Sequence, residues 1–215
     1  MPLHTSSHGH SPADGADGAG GGDDIRFAPP ALGDGRLLWA LARDNGLDEN
    51  SPYAYVMWCR DFAETSVVAR DTEGRVLGFV IGHVRPGAPD TYFLWQVAVD
   101  SACRGRRLAR RMLDHIGDRI TERGLTHLEA TVTPDNAASR ALFGSFARDR
   151  GVEPVWTSLF EREHFPQDGE HTHEPEDLVR IGPLGQPAAA EALWDPAEIV
   201  AEAERTRVPA ASGRG

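Results

Sequence analysis

Four consecutive residues, Arg104-Gly105-Arg106-Arg107, carry the clearest chemical suggestion in this chain because of what flanks them. Before them runs an apolar stretch of strand type (Phe93, Leu94, Trp95, Val97, Ala98, Val99) that halts at Asp100. After them Leu108, Met112, Leu113 and Ile116 recur at helical spacing. A strand that passes through a glycine-containing turn into a helix exposes N–H groups with no intrahelical partner, at the positive end of the helix dipole. Such an end binds phosphate, and guanidinium forks match phosphate oxygens. Arg110 and Arg111 extend the basic run; away from such a turn, the same arginines would read as a solvated helix face. A second segment, Asn136-Ala137-Ala138-Ser139-Arg140-Ala141-Leu142-Phe143, opens another helix just after Thr133-Pro134-Asp135. There Asn136 either caps the helix or reaches a ligand.

The elements that must position these residues follow from periodicity. Leu37, Leu38, Trp39 and Leu41 predict a first helix ending near Asn45-Gly46, and Tyr53, Val56, Met57 and Phe62 a second. Residues 66–70 and 76–84, separated by the turn Thr72-Glu73-Gly74, predict a hairpin. A loop over 86–90 precedes the strand over 92–99, and a helix over 106–123 is stopped by Gly124. A strand over 127–132, a helix over 136–150 and a strand over 155–160 complete the order αα-ββ-β-α-β-α-β. That order predicts an α/β (α+β) domain, a mixed central sheet flanked by helices.

Composition sets the limits. Of the 215 residues, those at 1–24 are almost without apolar side chains and read as a disordered tail. Residues 25–183 read as one domain, and 184–215 as a second tail in which 188–204 could form only a marginal helix. The formal net charge of −11 argues against nucleic acid as a partner. Lys is absent, so every fixed cation is Arg. Two cysteines make no disulfide framework, and no run approaches membrane-spanning length, which leads us to expect a cytoplasmic protein. His171 and His173, with His164 nearby, fit no zinc spacing and read as an exposed loop, so no metal is expected. His83 and His127 fall in strands and read as structural.

Taken together, the Arg-Gly turn and the Asn136 helix resemble the GNAT family of N-acetyltransferases across residues 66–160. The resemblance implies the GNAT fold and acetyl-CoA as co-substrate. It implies that the turn cradles the pyrophosphate and that the later helix lines the pantetheine arm. Carried over position by position, the cofactor-binding residues are Val97, Val99, Arg104, Gly105, Arg106, Arg107, Leu108 and Ala109, with Asn136, Ser139 and Phe143. A backbone N–H near Val97 is then expected to meet the thioester carbonyl. This chain departs from the pattern twice. Arg107 stands where the family usually has glycine, with Ala109 filling the small position, and Phe143 stands where a tyrosine often reprotonates the thiolate. A phenyl ring carries no proton to give.

Three further segments, 47–55, 93–97 and 173–183, are similar to the L-2,4-diaminobutyrate acetyltransferases of ectoine biosynthesis. The implied substrate is a short dication bearing one carboxylate, which needs acidic groups and donors around it. Asp48, Glu174 and Glu176 are the candidate ammonium partners, though loop carboxylates are ordinarily just solvated. Tyr53 could meet the substrate carboxylate or 2-amino group, or protonate the thiolate; Asn50 and Ser51 either touch substrate or cap the second helix. Trp95 walls the pocket or is core. Glu174 is the first choice as base and Glu176 the second, and Cys103 is badly placed as an acyl carrier. The resemblance also implies a homodimer. Two other readings remain: acetyl transfer to a different amine or a peptide, and a non-catalytic acyl-CoA sensor.

Overall fold

The computed structural model describes residues 24–47, 50–166 and 173–185. In chain order the regular elements are β1 (Arg26–Ala28), α1 (Gly35–Asp44), α2 (Pro52–Asp61), β2 (Val67–Arg70), β3 (Val76–Arg85) and β4 (Ala88–Val99). They continue with α3 (Leu108–Glu122), β5 (His127–Val132), α4 (Ala137–Asp149), β6 (Val155–Phe160) and β7 (Glu176–Ile181). The strands form one sheet in the order β1-β2-β3-β4-β5-β7-β6. Among the described strands only β4 and β5 pair in parallel, so the sheet is mixed as expected.

The two faces of the sheet are covered by different helices. Met112, Leu113, Ile116 and Ile120 of α3 and Phe143 and Phe146 of α4 pack on Val67, Val80, Tyr92, Leu94 and Leu128. On the other face, Leu38 and Ala42 of α1 and Tyr55, Trp58 and Cys59 of α2 pack on Val68, Phe79, Ile81 and Ala98. Alternation of side chains along each strand sorts these residues between faces. Helix starts follow local chemistry. Ser51 caps α2, accepting from Ala54 N at 3.4 Å, with Pro52 at the first helical position. Asn136 caps α4, accepting from Ser139 N at 3.0 Å.

Four expectations need correction. The loop expected over 86–90 is a tight turn at Pro86-Gly87, and β4 already begins at Ala88, where Arg85 pairs with it. Strand β7, absent from the sequence reading, lies between β5 and β6. Its sequence EDLVRI places Asp177, Val179 and Ile181 on one face and Glu176, Leu178 and Arg180 on the other, so acids and apolar residues mix on both. That mixture hides the period. Strand β1 is too short, at three residues, to show one. Leu184, placed in the C-terminal tail, is 3 % exposed, and its N–H donates to the Thr126 carbonyl at 2.6 Å. The core therefore runs one residue past 183. The expected tails at 1–23 and 186–215 lie outside the described residues.

Candidate active site

Strand β4 shapes the site through two irregularities. Ile81 pairs with Gln96 but Gly82 pairs with Leu94, so Trp95 is an extra, bulged residue. The bulge sends Trp95 and Gln96 towards the helix pair α1–α2: Trp95 stacks on Trp58 at 4.8 Å between ring centroids, and Tyr55 Oη donates to Gln96 Oε1 at 2.9 Å. The second irregularity is on the other edge. Pairing of β4 with β5 covers only Thr91–Leu94 against His127–Ala130, although both strands continue. Beyond Leu94 they splay.

The gap is a cavity of about 520 Å³. Trp95, Gln96 and Val97 form one wall, and Ala130, Thr131, Val132 and Thr133 the other. Asn136, Ser139 and Phe143 of the α4 start also line it, as do Leu47, Asn50, Phe160, Phe165, His173 and Glu176. Backbone groups of both strands that would have paired with each other border this space, a row suited to an extended ligand with amides of its own.

The acidic part of the lining has its own order. Glu176, at the start of β7, is mostly buried and lies 3.8 Å through Oε1 from His173 Nε2. His173 stacks on Phe165, with centroids 3.8 Å apart, and its Nδ1 is 2.8 Å from the Glu174 carbonyl. An Nδ1–H donated to that carbonyl leaves Nε2 as the basic nitrogen, pointing to Glu176.

At the C-terminal end of β4 the turn residues Arg104, Gly105, Arg106 and Arg107 are all exposed. Gly105 has φ 79° and Arg107 φ 55°; among the described residues Arg107 is the one non-glycine in the left-handed region. This position is where the family usually has glycine, and the backbone conformation supplies the reason. Arg107 caps α3 without a side-chain bond, and the first intrahelical bond near it is Arg111 N to Arg107 O at 3.0 Å. The N–H groups of Leu108, Ala109 and Arg110 thus open the helix. Their side chains do other work. Leu108 is core, and Arg110, nearly buried, is held by Asp114 at 3.0 Å and Asp149 at 2.8 Å, tying α3 to α4. Arg111 lies over the Phe27 ring. Neither Arg110 nor Arg111 is part of the exposed turn.

Of the residues singled out from sequence, the cavity brings together Asn50, Trp95, Val97, Asn136, Ser139, Phe143 and Glu176. Val99 instead packs against the α3 side of the core. Glu174, the first choice as base, is not at the cavity: it is half exposed and ion-paired with Arg162 at 3.0 Å. Tyr53 is 73 % exposed on the outer side of α2, and Ser51 is occupied as its cap. Asp48 lies outside the described residues. His83, expected to be structural, sits among Trp58, Phe62 and Phe93, with burial and the neighbouring Arg85 holding its pKa below the ordinary range. Among the described residues no three His, Cys, Asp or Glu side chains converge on a metal position. Sequence reasoning missed Gln96, Phe160, Phe165 and His173. Gln96 left a signal, since an amide inside an apolar strand run needs a buried partner; the others are gathered by β7 pairing with β6.

A model of the Acetyltransferase (GNAT) family matches residues 36–147. The L-2,4-diaminobutyric acid acetyltransferase of Streptomyces coelicolor is 52 % identical over 163 residues, 75 % of this chain and 94 % of that protein. The protein of the same name from Nocardia farcinica is 48 % identical over 158 residues, 73 % of this chain and 79 % of its own. Among solved structures, diaminobutyrate acetyltransferase EctA from Paenibacillus lautus, in complex with its substrate L-2,4-diaminobutyric acid and coenzyme A, superposes with a TM-score of 0.71. It is 37 % identical and covers 78 % of this chain and 100 % of that chain.

Proposed function

The chain belongs to the acetyltransferase (GNAT) family, and from that premise we propose that it moves acetyl from acetyl-CoA to the 4-amino group of L-2,4-diaminobutyrate, giving N4-acetyl-L-2,4-diaminobutyrate for ectoine synthesis. The observation that carries the reading is the splayed β4–β5 gap, lined both by the α4 start and by Glu176 and His173. One gap of two characters suits an amide-bearing thioester arm meeting a cationic amine.

The chemistry demands a base. An attacking amine with a lysine-like pKa of about 10.4 loses its proton at pH 7 at a cost of roughly 4–5 kcal/mol. In this reading Glu176 takes that proton, supported by its position 3.8 Å from His173, which shares the charge. The neutral nitrogen attacks the thioester carbonyl carbon, and a β4 backbone N–H near Val97 stabilises the oxyanion. The C–S bond then breaks, the attacking nitrogen gives up its second proton to solvent, and the thiolate regains one through solvent or the Glu176 carboxyl, since Phe143 has none to give. The exposed amides and arginines of the 104–107 turn suit the pyrophosphate. The reading places the enzyme in the cytoplasm with the acetyl-CoA pool. It includes a homodimer, consistent with edge strand β6 showing Val155, Leu159 and Phe160 to solvent.

Thiol release from acetyl-CoA over a panel of amines tests the reading. Diaminobutyrate is expected to be the best acceptor, ornithine weaker and peptides inert; preference for peptide amino termini would overturn it. Coenzyme A binding with no acceptor turned over would favour the sensor reading.

A further inference from the structure

Glu176 stands where backbone pairing holds β7 least. The ladder of β7 with β5 ends at Val132↔Asp177, and on the β6 side the register slips between Ser158 and Phe160, so that Leu159 is passed over beside Glu176. The regular two-sided ladder therefore stops at Asp177, one residue after the carboxylate that lines the cavity. Asp177 is held by a side chain from α4. Arg140 Nη1 donates to Asp177 Oδ2 at 3.0 Å, and the same guanidinium lies over the Trp156 ring of β6, 4.0 Å from its centroid. With side chains 34 % and 25 % exposed, this ion pair is better shielded than Arg162–Glu174, at 52 % and 57 %. An arginine bonded to a carboxylate and stacked on an indole is fixed in both distance and plane. The contact joins three elements that line the cavity: α4 through Asn136 and Ser139, β6 through Phe160 and β7 through Glu176.

We propose that Arg140 is the positioning residue that aims the Glu176 carboxylate at the acceptor amine, acting through Asp177. The inference rests on the diaminobutyrate reading above, in which Glu176 is the base, and adds the group that holds it. Neighbours in a strand point to opposite faces, so keeping Asp177 towards α4 turns Glu176 the other way. Arg140 is outside the lining of the cavity and touches neither acceptor nor reacting atoms. A lysine in its place would keep the charge and lose the planar stack.

The test is a mutant cycle on the full chain, with kcat and KM for L-2,4-diaminobutyrate and acetyl-CoA measured at pH 7.5 and melting temperatures confirming the fold. Arg140→Met is expected to lower kcat about tenfold, as a displaced base does, while KM for acetyl-CoA stays within about threefold. Asp177→Asn should lower kcat severalfold, and Arg140→Lys should recover part of the Arg140→Met loss. In the Glu176→Gln background, Arg140→Met should cost less than about twofold, because the group it holds is gone. Values of kcat within about twofold of wild type in both Arg140→Met and Asp177→Asn overturn the inference. So does the full loss repeated in the Glu176→Gln background, or a loss borne by KM for acetyl-CoA alone, either of which marks a merely structural ion pair. Should Arg140→Met not fold, Asp177→Asn with and without Glu176→Gln decides by the same cycle. A wild type inactive on diaminobutyrate overturns the functional reading, and a Glu176→Gln variant as active as wild type overturns the choice of base, each taking this inference with it. An active wild type, a crippled Glu176→Gln and independent losses overturn this inference only.

Discussion

At the scale of single residues, the decisive distinction is between two carboxylates two positions apart. Glu176 heads a strand and faces the cavity, whereas Glu174 turns outward to Arg162. Glu176→Gln should reduce kcat at pH 7.5 by about 10²-fold or more, the usual yield of a positioned base. The deficit should shrink as pH rises towards 9, because the neutral fraction of the free amine grows tenfold per unit below its pKa of about 10.4. Glu174→Gln should change kcat by less than about threefold, since an exposed ion pair contributes little. A pH series of initial rates on both variants checks this. From the sequence, Glu174 ranks ahead of Glu176 within one polar segment. Only the register Phe160↔Glu176, made across β6 and β7, tells them apart, and such pairing leaves no local pattern. Trp95 and Asn136 were legible because a strand–turn–helix carries its own grammar. Asn136 caps α4 and also lines the cavity.

At the scale of elements, β4 and the turn that follows it set the geometry. Gly82 lies opposite the bulge, and a Cβ there would run into Tyr92 Oη and the Phe93 carbonyl. Gly82→Ala should destabilise the protein by about 1–3 kcal/mol, as overpacking does, read as a lowered midpoint in urea. Arg107 holds a left-handed conformation that costs an L-residue roughly 1–2 kcal/mol. Arg107→Gly should therefore leave the melting temperature unchanged or raise it, whereas Arg107→Val, β-branched, should lower it by several degrees. The coarse order of helices and strands could be read from periodicity. The bulge, the splay of β4 from β5 and the insertion of β7 could not, because each is a property of paired strands rather than of one.

At the scale of the molecule, charge and titration give the pH response. Burial and Arg85 lower the pKa of His83, and burial and Arg119 lower that of His115. Below about pH 6.5 the unfolded chain takes up protons that these folded imidazoles refuse, so stability falls as pH drops from 6.5 towards 5. Above 6.5 neither group contributes. Melting temperatures between pH 7.5 and 5 should decline, and His83→Gln with His115→Gln should flatten the decline. Asp71, held low by its hydrogen bond from Arg75, acts in a separate window, its contribution present above the ordinary carboxylate range and lost beneath it. The two uneven faces of the sheet also bear on assembly. Strand β6 is an edge with apolar side chains outward, and sedimentation should find a dimer that Val155→Asp weakens.

The central claim is acetyl transfer to one particular nitrogen inside the β4–β5 gap. Incubating the full chain with acetyl-CoA and L-2,4-diaminobutyrate, then taking a proton–carbon correlation spectrum of the product, tests it most directly. The account predicts an acetyl group correlated through its amide to the C4 methylene, with the C2 amine untouched. An acetyl on the C2 nitrogen, or an unmodified diamine beside intact thioester, would contradict it.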